Sequence, residues 1–329
     1  MKAIIKQLRH LGGRLYNGFT WAKWLFHEFK LLMTNLGSSD NEKSKEKFKA
    51  RLMITGHVIE KGMSLKDVRT GFGEDKVFDL LSNLQKYYAL YADVHFATYI
   101  LAIIKEYIDF NKTRGHLNSE IISKYEKLNI LIKPDLSAFK GGVKNVTRKQ
   151  IYDKALIDFE GFVNMRFSIR NFSDEPVNIE LVKKAIKIAG KTPSACNRQP
   201  WKVHLFVSKE SINKILDYQT GARQFKEQIG CSILITCSYN SFFGGEYHQP
   251  YVNGGLYAMT LIYALHSLGL GTIPLNMGFV YKKLTQLSEF IDIKNDEVPI
   301  LLIGVGNLPD QLNVACSERF NYQDIIKEY

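Results

Sequence analysis

Met165 to Trp201 reads MRFSIRNFSDEPVNIELVKKAIKIAGKTPSACNRQPW, and the reading of this stretch decides the fold of the chain. If residues 166–170 are extended, side-chain alternation puts Arg166, Ser168 and Arg170 on one face and Phe167 and Ile169 on the other. Two guanidinium groups flanking a hydroxyl suit a phosphate or another delocalised anion, because they make short charge-assisted bonds to oxyanions. In the following Asn171–Pro176, Ser173 or Asp174 can cap a helix and Pro176 can open it. Leu181, Ala185, Ile188 and Ala189 form its apolar stripe, and Gly190 should stop it. Turn formers and small polar residues then crowd Thr192 to Trp201, just before a predicted strand over Lys202–Val207.

Arg-x-Ser-x-Arg at 166–170, Pro-Val-x-x-Glu at 176–180 and Pro-Ser-x-x-Asn-x-Gln-Pro-Trp at 193–201 together resemble the nitroreductase-like flavin oxidoreductases. The resemblance covers roughly Asp153–Tyr329, and the second binding turn is its most specific part. It implies an α+β fold, with a central mixed β-sheet flanked by helices and a long dimer-core helix, preceded here by an all-helical N-terminal region. It also implies FMN as cofactor, NADH or NADPH as hydride donor, a small organic electron acceptor and ping-pong turnover at flavin N5. By the same resemblance, Arg166, Ser168 and Arg319 hold the FMN phosphate and Arg170 lies by the pyrimidine edge. Pro193, Ser194, Asn197 and Gln199 belong to the turn that packs along the ring, contributed by the second subunit of a homodimer. A backbone N–H of Asn276 or Met277 faces N5. No protein side chain is assigned a catalytic role, because the flavin carries the chemistry. Two positions depart from the family's pattern. Asn276 stands where an acidic residue is frequent, and Ser317 stands where some members have a second cation.

The charge is unevenly placed. Residues 1–150 hold 26 Lys and Arg against 15 Asp and Glu, the whole of the net +11, whereas residues 151–329 hold 18 of each. A neutral catalytic domain over 151–329 and a basic helical extension over 1–150 are therefore expected. Such an extension suits an anionic membrane surface or an acidic partner, or is a solvated Lys-rich surface; nucleic acid is not an expected partner. Residues 1–36 alternate basic residues with aromatics such as Tyr16, Trp21, Trp24 and Phe29. This is the composition of an interfacial helix in peripheral membrane contact, or of a helix packed on the protein's own body. Cys196, Cys231, Cys237 and Cys316 have no metal spacing, no signal-peptide pattern is present and no run is long enough to span a bilayer. Those features point to a reducing cytoplasm.

Within the extension, Ser39 or Asp40 is expected to cap a helix. His57 and Glu60 would pair at i, i+3 near a helix end set by Gly62; with no further ligands at suitable spacing, a metal is not expected. Helical period runs from Asp75 to Lys112, as one long helix or one with a break, and a shorter helix is expected over Ser119–Ile132. Pro134–Lys144 reads as the connection to the second half. There the expected elements are helices over Tyr152–Asn164, Glu210–Tyr218 and Pro250–Leu268, and buried strands over Cys231–Ser238 and Val298–Val305. Gly254, Gly255 and Ala258 give the last helix a small-residue face that lets another backbone approach closely, and the resemblance implies that it lies in the dimer core. Arg223, Gln224 and Lys226 could reach a ligand. Gly269–Gly278 is read as a turn and not a Rossmann loop, since it follows a helix and has Pro274 where the third glycine should be. Two further readings remain open: a flavin dehydrogenase or oxidase of one biosynthetic intermediate, such as a surface polysaccharide precursor, and a non-catalytic scaffold.

Overall fold

The structure is a computed structural model that describes residues 22–23, 25–36, 44–219, 221–277, 281–315, 317, 319 and 321–329. The readings at 1–21, Trp24, Ser39, Asp40, Gly278 and Cys316 fall outside those residues. The architecture is α+β, with helices filling the first half of the chain and the whole sheet in the second.

Four helices build the N-terminal core: α1 (Lys45–Met63), α2 (Glu74–Tyr91), α3 (Val94–Lys112) and α4 (Ser119–Ile132). Their apolar faces meet in one cluster that includes Leu52, Ile59, Leu81, Leu84, Tyr87, Ile100 and Ile104. Gly56 lets α1 cross α3 closely, since a Cβ there would sit 3.1 Å from Ile103. The long periodic segment is two helices. Ala92 turns the chain at φ 47°, and Asp93 starts α3 by accepting the Phe96 N–H at 3.1 Å. Burial opposes ionisation of Asp93, but Lys45, the Phe96 N–H and the Tyr87 hydroxyl outweigh it and hold the carboxyl well below its usual range. Gly62 does not end α1, which runs on to Met63; a Cβ at Gly62 would fall within 2.1 Å of the Phe72 ring, so close packing is what the glycine serves. His57 and Glu60 do approach, at 3.9 Å, and Glu60 also accepts the Gly142 N–H, tying α1 to the connecting loop.

The expected helix over Tyr152–Asn164 is instead two short ones, α5 (Arg148–Ala155) and α6 (Phe159–Asn164), because Asp158 caps a new start by accepting the Gly161 N–H at 2.9 Å. Similarly α7 (Ile179–Ala189) begins later than Pro176. Asn178 is its cap, and the buried stripe is Val182, Ala185 and Ala189, with Ile188 exposed. Strands β1 (Trp201–Phe206), β2 (Cys231–Ser238), β3 (Leu270–Asn276) and β4 (Glu297–Asn307) form a sheet in the order β1-β2-β4-β3. Every strand pairing is antiparallel, and the parallel contact is the isolated bridge between Ser168 and Thr272. Strand alternation sorts the core. Ile233 and Ile235 face α7 and α9 (Gln249–Ser267), while Leu234 faces α8 (Lys209–Leu216) and α10 (Tyr281–Phe290) on the other side. The segment from Gly269, read as a turn, is thus mostly strand. β-branched Thr272 and Ile273 pair with β4, and Pro274 is tolerated because β3 is an edge.

Helix α9 corrects the small-residue argument. Gly254 and Ala258 pack inward on the chain's own sheet, where a Cβ at Gly254 would lie 2.6 Å from Ile300 and 3.0 Å from Cys237. Its outward face is Val252, Gly255, Leu256 and Met259. The helical stretch over 25–35 also packs partly on the body, through Leu31, Leu32 and Leu36 against Tyr239 and Val298. Glu28 accepts from the Tyr239 and Tyr251 hydroxyls at 3.3 Å. Its opposite face exposes Leu25, Phe26, Phe29 and Met33. Among the described residues no helix is long and apolar enough to cross a membrane.

Candidate functional site

A cavity of about 670 Å³ opens beside the start of the deciding stretch, and Arg166, Ser168, Arg170, Ser317 and Arg319 line it. Local structure explains the convergence. Helix α6 ends at Asn164, so Arg166 leaves a helix terminus, and the Ile169 N–H bonds Thr272 O at 2.8 Å, pinning residues 168–169 to β3. Ile169 and Phe172 are buried, which anchors the strand-like run from its apolar side and leaves the arginines to the cavity. The far wall is Met259, Ile262 and Tyr263 of α9, with Pro274 of β3. Among the described residues none of the three guanidinium groups makes an ion pair. Arg170 donates to Ser168 O at 3.3 Å and Arg319 donates to Ser317 O. Three such cations and two hydroxyls around one cavity form an anion site, since guanidinium forks match oxyanion geometry.

The second turn is built differently. Cys196, Asn197 and Gln199 have φ of 49°, 54° and 48°, left-handed conformations that cost on the order of 1 kcal/mol or more each and persist only where the surroundings enforce them. Ser194 Oγ accepts the Gln199 N–H at 3.0 Å, and Asn253 Oδ1 of α9 accepts the Ala195 N–H at 2.9 Å. Arg198, whose side chain is 1% exposed, forks onto Glu246 at 2.6 and 2.8 Å and donates to Ala195 O and Ser241 O. The Arg198 bond holds the Glu246 carboxyl below its usual range. Tyr99 of α3 bonds the Asn197 side chain, so the helical region reaches this turn.

Sequence reasoning missed Arg198, Asn253 and Tyr99. Arg198 occupies an unspecified position of the motif, and the other two lie 58 and 98 residues from their partners, Ala195 and Asn197, so only the fold brings them in.

Not all the expected site residues come together. Pro193, Ser194, Asn197 and Gln199 do not line the basic cavity. Their turn is tied to Asn253 through Ala195, whereas the cavity wall on α9 runs from Met259 to Tyr263, six to ten residues along, or about 9 to 15 Å at 1.5 Å per residue. Asn276 is exposed at the end of β3 and Met277 is buried in the sheet's core, and neither lines the cavity. Nor do Arg223, Gln224 and Lys226; Lys226 is instead paired with Asp217 at 2.7 Å. No group of three or more His, Cys, Asp or Glu that could hold a metal occurs among the described residues.

Residues 163–230, which contain both turns, match the Nitroreductase family model. Over that segment the chain is similar to the nitroreductase family. An Archaeoglobus fulgidus protein provisionally named NADH dehydrogenase/NAD(P)H nitroreductase is 23% identical over 50% of this chain and 93% of its own length. The iodotyrosine dehalogenase 1 homolog of Caenorhabditis elegans is 24% identical over 51% of this chain and 60% of its own. The crystal structure of a nitroreductase family protein from Streptococcus pneumoniae is 24% identical, covering 52% of this chain and 100% of that one, with a TM-score of 0.44. All three likenesses are confined to about half of this chain.

Proposed function

We propose that this chain is an FMN-dependent oxidoreductase of the nitroreductase kind, and that the basic cavity is its phosphate end. The carrying observation is the set of Arg166, Ser168, Arg170 and Arg319 around about 670 Å³, within and beyond the family-matched segment. The donors suit the group: a phosphomonoester carries about −1.5 to −2 at neutral pH and presents oxygens for bidentate guanidinium bonds. When bound, FMN supplies the redox chemistry, accepting hydride at N5 from NADH or NADPH and passing it to a small organic acceptor in ping-pong alternation.

The protein's part is to bind, orient and tune. Arg166, Ser168 and Arg319 would hold the phosphate, and Arg170 would serve the pyrimidine edge, where a cation stabilises negative charge. Pro193, Ser194, Asn197 and Gln199 would cover the ring from a second copy of the chain, in keeping with their absence from the basic cavity's lining in one copy. A backbone N–H of Asn276 or Met277 would face N5. A homodimer follows, joined along the outward face of α9. Purified protein is expected to be yellow and to release FMN on denaturation, and its flavin absorbance should bleach anaerobically with NADH or NADPH. Protein that stays colourless after reconstitution with excess FMN would remove this reading.

A further inference from the structure

A second cavity, of about 470 Å³, lies where the N-terminal helices meet the turn around Gln199. Its volume is in the range of small-ligand pockets. Helix α3 and the loop after α4 supply aromatic walls: the Tyr99 and Phe139 rings meet edge to face at 5.6 Å, and the His95 ring lies tilted against Phe139 at 4.8 Å. Phe96 and Trp201 complete the lining, and Trp201 is held flat against Tyr257 at 4.7 Å. Aromatic walls prefer a flat ring, which they can meet by offset stacking or edge to face.

The polar groups add a sign. Arg198 reaches this cavity but is spent on Glu246 and two carbonyls. Lys49 and Lys202 also line it, with side chains 27% and 41% exposed. Each ammonium has three donors; Lys49 approaches Asp93 at 3.3 Å and Lys202 approaches Glu297 at 3.1 Å, leaving donors to spare. Glu46, the one lining carboxylate, is drawn toward Lys294 at 3.9 Å. Two accessible ammonium groups beside an aromatic box favour a ligand with one flat face and one anionic end.

We infer that this cavity, formed jointly by the helical extension and the Gln199 turn, binds a small aromatic carboxylate. The site shares no lining residue with the basic cavity, although Gln199, assigned above to the flavin ring, also lines it. Titration calorimetry of the full-length protein with 2-naphthoate tests it, with neutral 2-naphthamide and acetate as comparisons. Saturable 1:1 binding of naphthoate is expected, at least tenfold tighter than naphthamide, with no measurable acetate binding. Phe139→Leu should weaken naphthoate at least tenfold. Lys49→Gln, at a partly exposed position where the fold is not at risk, should bring naphthoate and naphthamide within threefold of each other. Arg166→Ala should leave naphthoate affinity unchanged. Absent saturable binding, binding that neither cavity variant alters, or binding abolished by Arg166→Ala would each overturn the inference.

Discussion

At the scale of single residues, Arg166 carries the sharpest consequence. It lines the basic cavity without an ion-pair partner among the described residues, so a charge-assisted bond to a bound phosphate would not compete with an internal one. Arg166→Ala should cost roughly 1.5 to 3 kcal/mol of FMN binding, or about 10- to 150-fold in dissociation constant. Fluorescence titration of the apoprotein measures it, and an unchanged constant would show that the phosphate lies elsewhere. Arg198 acts on shape instead. Arg198→Ala removes the guanidinium fork on Glu246 and the side-chain donors to Ala195 O and Ser241 O, and a loss of about 3 kcal/mol in denaturant-monitored stability is expected, near the low end for a broken buried pair because Glu246 is partly exposed and keeps the Phe243 N–H. A variant as stable as the parent would mean that the three left-handed residues of the turn hold themselves.

Among the elements, the sheet contains an acid-sensitive joint. Glu297 opens β4 and accepts from Thr236 of β2 at 2.7 Å, with Lys202 and His204 of β1 at 3.1 and 3.6 Å. Burial opposes its charge, yet these partners outweigh burial and hold its pKa at about 2, against the usual 4.5. A carboxylate with a depressed folded-state pKa contributes stability that is fully present above pH 4.5 and is lost as pH falls toward 2. At 1.36 kcal/mol per pH unit the loss is about 3 kcal/mol. Urea denaturation from pH 6 to pH 2.5 should show this decline in the parent and a shallower one in Glu297→Gln; parallel profiles would rule the joint out. Helix α9 offers a steric counterpart. Gly254→Ala pushes a methyl into Ile300 and Cys237, an overpacking expected to cost about 1 to 3 kcal/mol by the same assay.

For the whole molecule, association is the open quantity. Val252, Leu256 and Met259 are 50%, 47% and 37% exposed on a helix whose inner face is core, and they continue toward the Met259 and Tyr263 wall of the basic cavity. In the proposed function a second copy buried on this face supplies the Ser194–Gln199 turn, which does not line the cavity within one chain. Light scattering should therefore report a homodimer at low micromolar concentration. Leu256→Glu should shift it to monomer and release FMN in the same step. A Leu256→Glu monomer that keeps its flavin would separate cofactor binding from assembly.

Much of this was legible in local sequence. A continuous apolar, β-branched run located β2 at Cys231–Ser238, and helical period located α4 at Ser119–Ile132, with the bounds observed, because a strand buried on both faces is apolar throughout while a helix buried on one face repeats its apolar residues. The Arg-Ser-Arg row was readable because an extended run offers alternate side chains to one ligand. Starts of helices were less legible. Asp93, Asp158 and Asn178 each took a cap that neighbouring residues could have taken, and the winner is set by where the helix must lie to bury its stripe. The role of a glycine was beyond local reading altogether: Gly62 and Gly254 look like a stop and an intersubunit face, and are instead spaces for Phe72 and Ile300. Sequence by itself determined which residues could bind an anion and which segments had to be buried, because charge and apolar period are properties of the chain. Tertiary structure alone decided that Asn253 and Tyr99 reach the second turn and that Met259, Ile262 and Tyr263 of α9 wall the basic cavity, because those contacts join positions that only packing brings together.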